Sequence, residues 1–122
     1  MLRSYRDLLV WQKALDLTIL IYRLSEKFPK TEIYGLTSQV RRASVSVPSN
    51  IAEGYGRDSR KEYLYFLSVA QGSLKELETQ VIVAQRLNYA TDEEAKRLLF
   101  VSETVGKMLG GLMRSLRTRI RV

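Results

Sequence analysis

From Tyr5 to Leu116 apolar side chains return every three or four positions, and only two prolines, Pro29 and Pro48, interrupt the run. That period marks helices with one buried face, and the long stretches between turn signals leave no room for the closely spaced turns of a β-sandwich. The expected fold class is all-α. At 122 residues, 45% apolar and 27% charged, the chain holds one domain with a substantial core and lacks the length for a second.

The spacing predicts helices over about 5–28, 32–55, 59–88 and 92–117. The first carries two stripes, Leu8, Trp11, Leu15, Ile19 and Tyr22 beside Leu17, Leu20, Leu24 and Phe28, a face wider than one neighbour needs. Pro29 ends it, because the residue before proline is pushed out of the α region. Thr31 is the expected N-cap of the second helix, which repeats at Ile33, Leu36, Val40, Ala43, Val47 and Ile51. Ser44-Val45-Ser46-Val47 alternates like a strand, yet the helical period runs through both sides of Pro48, so a proline-kinked second helix is expected. Gly54 and Gly56 read as its left-handed stop. Ser59 with Glu62, and Thr91 with Glu94, form capping-box patterns that open the third and fourth helices. The third carries Phe66, Ala70, Leu74, Leu77, Val81 and Ala84, with Asn88 as its cap. Ala95, Leu98, Ser102, Val105, Leu109, Leu112 and Leu116 form a heptad seam on the fourth. Short connections between helices roughly 30 to 40 Å long imply an up-down-up-down antiparallel four-helix bundle.

The sequence contains neither Cys nor His. That excludes disulfides, serine and cysteine triads, zinc sites and the Glu-x-x-His di-iron motif. Gly54-Tyr55-Gly56 lacks the strand and the Gly-Lys-Ser/Thr of a phosphate loop and reads as a helix terminator. Asp92-Glu93-Glu94 is ordinary first-turn chemistry before it is a Mg²⁺ site, and Glu76 and Glu78, two apart, point to different faces. No catalytic residues, metal or cofactor are expected. The charged start and the absence of any apolar stretch near 20 residues predict no membrane association and a cytoplasmic protein.

Charge is the informative feature. There are 20 Lys plus Arg against 13 Asp plus Glu, a formal +7, and residues 7–106 balance 13 against 13. The excess lies in Arg3 and Arg6, and in Lys107, Arg114, Arg117, Arg119 and Arg121. In the expected topology both termini share an end with the second turn, which carries Arg57, Arg60 and Lys61. One basic pole results, suited to phosphates held by counterion release; the competing reading is dipole compensation plus a solvated tail over 114–122. Tyr55, Tyr63 and Tyr65 stand near that pole, first as packing and second as stacking platforms. Gly106 and Gly110 share a face and read equally as a close helix contact or as a helix end. Together with the wide apolar face of the first helix they suggest a homo-oligomer.

Asp7-Leu8-Leu9-Val10-Trp11-Gln12-Lys13-Ala14, Phe28-Pro29, Tyr34-Gly35-Leu36 and above all Gln39-Val40-Arg41-Arg42-Ala43-Ser44-Val45-Ser46-Val47-Pro48-Ser49-Asn50-Ile51-Ala52-Glu53-Gly54 resemble the four-helix-bundle proteins encoded within intervening sequences of bacterial 23S ribosomal RNA genes. Lys61-Glu62, Phe66-Leu67, Ala70, Gly72-Ser73 and Glu76-Leu77-Glu78-Thr79 extend the resemblance, which covers about residues 5–112. It implies a kinked second helix and a homopentameric ring. That family in turn is similar to the accessory variability proteins of diversity-generating retroelements, basic pentamers that associate with a reverse transcriptase and nucleic acid. Arg41, Arg42, Asn50 and Glu53 match the motif and read first as structural or interface contacts near the kink, second as a binding surface. The basic segment from Arg114 lies outside the motif. The expected function is a non-enzymatic homo-oligomer, a pentamer by resemblance, that binds RNA or other nucleic acid; the rival is a protein-interaction scaffold docking an acidic protein such as a reverse transcriptase.

Overall fold

Capping chemistry fixes where each helix begins. A computed structural model describes the backbone of residues 2–121 and the side chains of residues 2–118. Among these residues it contains α1 (Leu9–Ser25), α2 (Leu36–Tyr55), α3 (Arg60–Arg86) and α4 (Asp92–Arg121), 3₁₀ turns at Tyr5–Asp7 and Lys30–Glu32, and no strand. At α4 the reciprocal box forms: Glu94 N donates to Thr91 Oγ1 (3.1 Å) and Thr91 N to Glu94 Oε1 (2.9 Å). At α3 only half of it does, Glu62 N donating to Ser59 Oγ (3.1 Å) while the Glu62 carboxylate accepts from the Ser59 hydroxyl (3.3 Å).

The start of α2 departs from expectation. Thr31 lies in the 3₁₀ turn, and the helix begins only at Leu36, whose N–H donates to Glu32 Oε1 at 3.0 Å. Gly35 makes room for that carboxylate, since a Cβ there would lie 2.6 Å from Glu32 Oε1. The first helix is likewise shorter than expected, 9–25 rather than 5–28. Ser4 caps a separate turn at its start by accepting from Arg6 N, and Glu26 closes its end.

The two glycine positions at the end of α2 are corrected as well. Neither Gly54 nor Gly56 has positive φ. Gly54 is buried inside the helix, where a Cβ would meet Phe66 Cβ at 2.9 Å and Tyr63 Cδ1 at 3.0 Å; its role is close approach of α3, not a left-handed stop. The left-handed position belongs to Asn88, with φ of 64°. Tyr89 N donates to the Ala84 carbonyl (2.8 Å) and Asn88 N to that of Gln85 (3.0 Å), a Schellman ending for α3.

Each helix packs on its neighbours in sequence, and α4 closes the ring against α1. Among the described residues the diagonal pairs α1–α3 and α2–α4 bring no Cα atoms within 8 Å of each other. Cross-bonds agree with the antiparallel order: Ser46 to Ser73 between α2 and α3, Gln71 to Gly106 and Ser102 to Glu78 between α3 and α4, and Lys27, just past the end of α1, to Glu94 in the first turn of α4. The bundle is up-down-up-down. Leu17, Ile21, Ile51, Leu67, Leu74, Leu77 and Leu109 are fully buried at its centre, each contributing about 1.5 to 3 kcal/mol by leaving water.

On α1 only one broad stripe enters that core: Val10, Ala14, Leu17, Ile21 and Leu24. Leu15, Ile19 and Tyr22 remain 38, 45 and 39% exposed, with Val45 of α2 beside Leu15 and equally exposed. On α3 the core residue is Leu67 and not Phe66, and on α4 Met113 replaces Leu112. The second change is the drift of a 3.6-residue helix away from a seven-residue repeat.

Pro48 sits inside α2, which continues unbroken to Tyr55. Without an N–H it cannot bond the Ser44 carbonyl one turn back. Thr18 of α1 fills that vacancy, its Oγ1 donating to Ser44 O at 2.8 Å in a buried setting and more loosely to Ala14 O at 3.1 Å. Thr18→Val preserves shape and leaves the carbonyl unsatisfied, so the expected cost is about 1 to 3 kcal/mol. In a Pro48→Ala background the restored N–H takes over and most of that cost disappears. A double-mutant cycle by urea unfolding that returns no coupling refutes the account.

Candidate nucleic-acid interface

The polar side chains of the long motif in α2 divide between contacts within the bundle and solvent: Ser44 is buried, Arg41, Ser46 and Asn50 are half-buried, and Gln39, Arg42, Ser49 and Glu53 are exposed. Arg41 Nε donates to Ser25 Oγ (2.8 Å), Nη2 reaches the Tyr22 carbonyl (3.5 Å), and the guanidinium lies 4.9 Å above the Tyr22 ring. It therefore fastens α2 to the end of α1 by a charge-assisted bond and a cation–π contact. Asn50 Nδ2 donates to the Ser46 carbonyl (2.8 Å) and Ser46 Oγ (2.9 Å), and Ser46 in turn bonds Ser73 of α3 at 2.8 Å. Glu53 pairs with Arg57 at 2.7 Å. Arg42 is exposed, in a groove shared with Gln39, Ser46 and Glu76, and has no ion-pair partner among the described residues.

The cations predicted for the pole fall into three groups. Arg57 is committed to the fold: besides Glu53 it reaches Glu62 (4.0 Å) and lies 4.7 Å over the Phe66 ring, so it clamps the α2–α3 turn. Arg3 precedes the first 3₁₀ turn and Arg6 lies within it, 5.4 Å from the Tyr5 ring, which packs edge-on against Trp11. Arg60, Lys61, Lys107, Arg114 and Arg117 are exposed, and none forms an ion pair among the described residues.

Height along the bundle separates this last group. Counting outward equally from the Gln71–Gly106 bond brings Arg60 level with Arg117, at the end where both termini lie. Lys107 sits beside Gln71 and Lys75, well up the α3–α4 seam. From Arg114 the chain continues as α4 to Arg121. The side chains of Arg119 and Arg121 lie outside the described residues.

Arg60 and Lys61 occupy the first turn of α3, where the helix dipole disfavours cations by a few tenths of a kcal/mol. Helix stability therefore does not explain them. Tyr55 and Tyr63 stack edge to face at 6.1 Å, and burial together with Tyr55 pushes the Tyr63 hydroxyl up to about 12; this pair is packing. Tyr65 is exposed and contacts Phe66.

At the opposite end Glu32, Asp92 and Glu94 are engaged within the fold. Glu32 caps α2 and accepts from the Tyr89 hydroxyl (3.0 Å), which raises the tyrosine above its ordinary value. Lys27 and the Thr91 backbone hold Glu94 below the usual carboxylate range. Asp92 accepts from Gln85 (3.0 Å). No three acidic groups converge on a metal-sized site among the described residues, and no described helix is long and apolar enough to cross a membrane.

Thr18, Gln71 and Lys75 join the structure's polar contacts without any motif in the sequence to single them out. If Arg41 acts as a fastener, Arg41→Ala lowers the urea midpoint at constant slope, by an equivalent of about 1 to 2 kcal/mol. An unchanged midpoint refutes this role.

Comparison with known proteins meets the same architecture. A solved structure from Bacteroides thetaiotaomicron, described as a protein with unknown function from the S23 ribosomal protein family, superposes with a TM-score of 0.80 at 23% identity, covering 86% of this chain and 98% of that one. At that identity the likeness concerns the fold. Among curated proteins none matches. Residues 6–111 match the 23S rRNA-intervening sequence protein family; the helical bundle described above belongs to that family.

Proposed function

We propose that this protein is a non-enzymatic, homo-oligomeric bundle, a pentamer in the simplest form, that binds RNA or other nucleic acid mainly through phosphates at its basic pole. One observation carries the reading: Arg60, Lys61, Arg114 and Arg117 gather at one end with no carboxylate paired to them among the described residues, and the sequence holds no Asp or Glu after Glu103, whereas the cations of the other end share it with Glu32, Asp92, Glu93 and Glu94. Pairing was available, as Glu53 and Glu62 show by engaging Arg57. Unpaired cations in a cluster repel one another and favour a polyanion that releases counterions on binding.

Binding of a labelled RNA hairpin is expected to weaken linearly with log salt, and Arg60→Gln with Lys61→Gln to flatten the slope by roughly 0.7 to 0.9 for each phosphate interaction removed. Binding without salt dependence, or none at low salt, refutes the proposal. Saturation by an acidic polypeptide in place of RNA favours the scaffold alternative, in which the pole docks an acidic protein.

Self-association is supported by the outer stripe of α1, where Leu15, Ile19 and Tyr22 share a surface with Val45. Aligning subunits about an axis repeats the basic pole around it, multiplying a modest phosphate affinity by avidity. Replacing Leu15 and Ile19 by Glu is expected to yield the 14.1 kDa monomer in light scattering. A wild-type protein that is already monomeric at micromolar concentration refutes the oligomer.

A further inference from the structure

Glycine inside a helix costs about 1 kcal/mol relative to alanine, and α4 contains three glycines without being broken by them. Gly106 is explained by packing: a Cβ there would meet Leu74 Cδ2 at 3.3 Å, and its carbonyl accepts from Gln71 Nε2 at 2.9 Å. Gly110 and Gly111 have no such reason. A Cβ at Gly110 would meet only Arg114 Nη1, at 3.4 Å, and one at Gly111 only Arg114 Nη2, at 3.9 Å. The guanidinium of Arg114 thus lies folded back over bare helix, in the space that side chains at these positions would take.

Gly106 and Gly110 are also the floor of a groove of about 560 Å³ between α3 and α4. Its walls are Gln71, Lys75, Lys107 and Arg114, with Glu103 on the rim. Three cations face one carboxylate, and no bridge joins Glu103 to any of them among the described residues; Lys75 contacts only Glu78, at 3.3 Å. The aliphatic stems and the glycines leave the groove shallow in polar groups and open to a chain lying along it. Its lower end, Arg114, is one turn from Arg117 and the basic pole.

We propose that this α3–α4 groove is a track for the phosphodiester backbone of the bound nucleic acid, with Arg114 as the phosphate-binding residue at its foot and Lys107 and Lys75 as successive contacts above it. The proposal rests on nucleic-acid binding at the pole and extends the path from there up the side of the bundle. The glycines keep the floor low enough for the sugar–phosphate chain to reach a guanidinium that lies over the bare helix at Gly110 and Gly111. Bidentate donation suits that guanidinium to a phosphate better than the ammonium of a lysine would.

The test separates shape from charge. Gly110→Leu fills the floor without altering any charge and, as a helix-favouring change facing only the mobile end of Arg114, raises Tm. It is expected to weaken binding of a fluorescein-labelled RNA hairpin at least as much as Arg114→Gln does, about threefold or more near physiological salt. Arg114→Gln also lowers the salt slope by about 0.7 to 0.9, while Gly110→Leu displaces the backbone from the whole track and lowers it further. Unchanged affinity in both variants, with binding abolished on replacing Arg60 and Lys61 by Gln, overturns the groove and leaves the pole. Absence of salt-dependent RNA binding in the wild type overturns both. Displacement of the hairpin from wild type, but not from Gly110→Leu, by polyglutamate at equal charge overturns the assignment to phosphate.

Discussion

A helix that keeps a proline in its interior must give up one backbone bond, and the bundle is organised around how that bond is replaced. The Ser44 carbonyl is buried, so without a donor it would retain the full cost of desolvation. Thr18 supplies the donor from α1, at 2.8 Å. This fixes α1 against α2 in rotation as well as in height, because a hydroxyl one residue away on α1 would point elsewhere. Arg41 then secures the same two helices one turn further along through Ser25 and Tyr22. The orientation so imposed leaves Leu15, Ile19 and Tyr22 facing outward. The burial of Val10, Ala14, Leu17, Ile21 and Leu24 demands the same orientation, so the hydrogen bond in the core and the apolar packing agree on which face of α1 stays outside.

How much of this was legible depended on whether the information was local. Helix count, order and the capping residues of α3 and α4 are written in spacings of three and four, and they read correctly. The start of α2 did not, because Thr31 carries the usual capping side chain while the actual acceptor, Glu32, acts from inside a turn over a glycine. Pro48 announced that the Ser44 carbonyl would be freed, but nothing near it in sequence named Thr18, 26 residues before that carbonyl. Gly54 looked like a terminator because the sequence does not display the Phe66 and Tyr63 atoms that press on it.

The site shows the same division. Sorting charges by topology placed the basic pole, since it needed only helix order. Which of those cations are committed to the fold required side-chain partners. For Arg57 a local signal existed: Glu53 stands four residues earlier on the same helical face, the spacing at which opposite charges meet. Lys75 carried the same kind of signal in Glu78, three residues later on the same face, but its place beside Lys107 and Arg114 is made by two helices running in opposite directions. Pairing turns a count of positive residues into a smaller set of uncompensated ones, and the smaller set is the one relevant to a partner.

Sequences that specify one fold usually satisfy local rules throughout, so departures without a structural return point toward function. Most irregularities in this chain have a return: Pro48 is answered by Thr18, Gly54 by the approach of α3, Gly106 by Leu74, and Asn88 by the turn it closes. Those that remain are Gly72 in the interior of α3, where a Cβ would meet nothing, Arg60 and Lys61 at the positive end of a helix dipole, Gly110 and Gly111 in the interior of α4, and Arg114, which lies over them with no acid to meet it among the described residues. Gly72 stands apart from the groove lining, and the other five belong to α3 and α4 in the basic half of the bundle. No described group of the chain compensates them, whereas a polyanion running from the pole into the groove would relieve the charge and use the space together. That common remedy is the reason to read them as one surface.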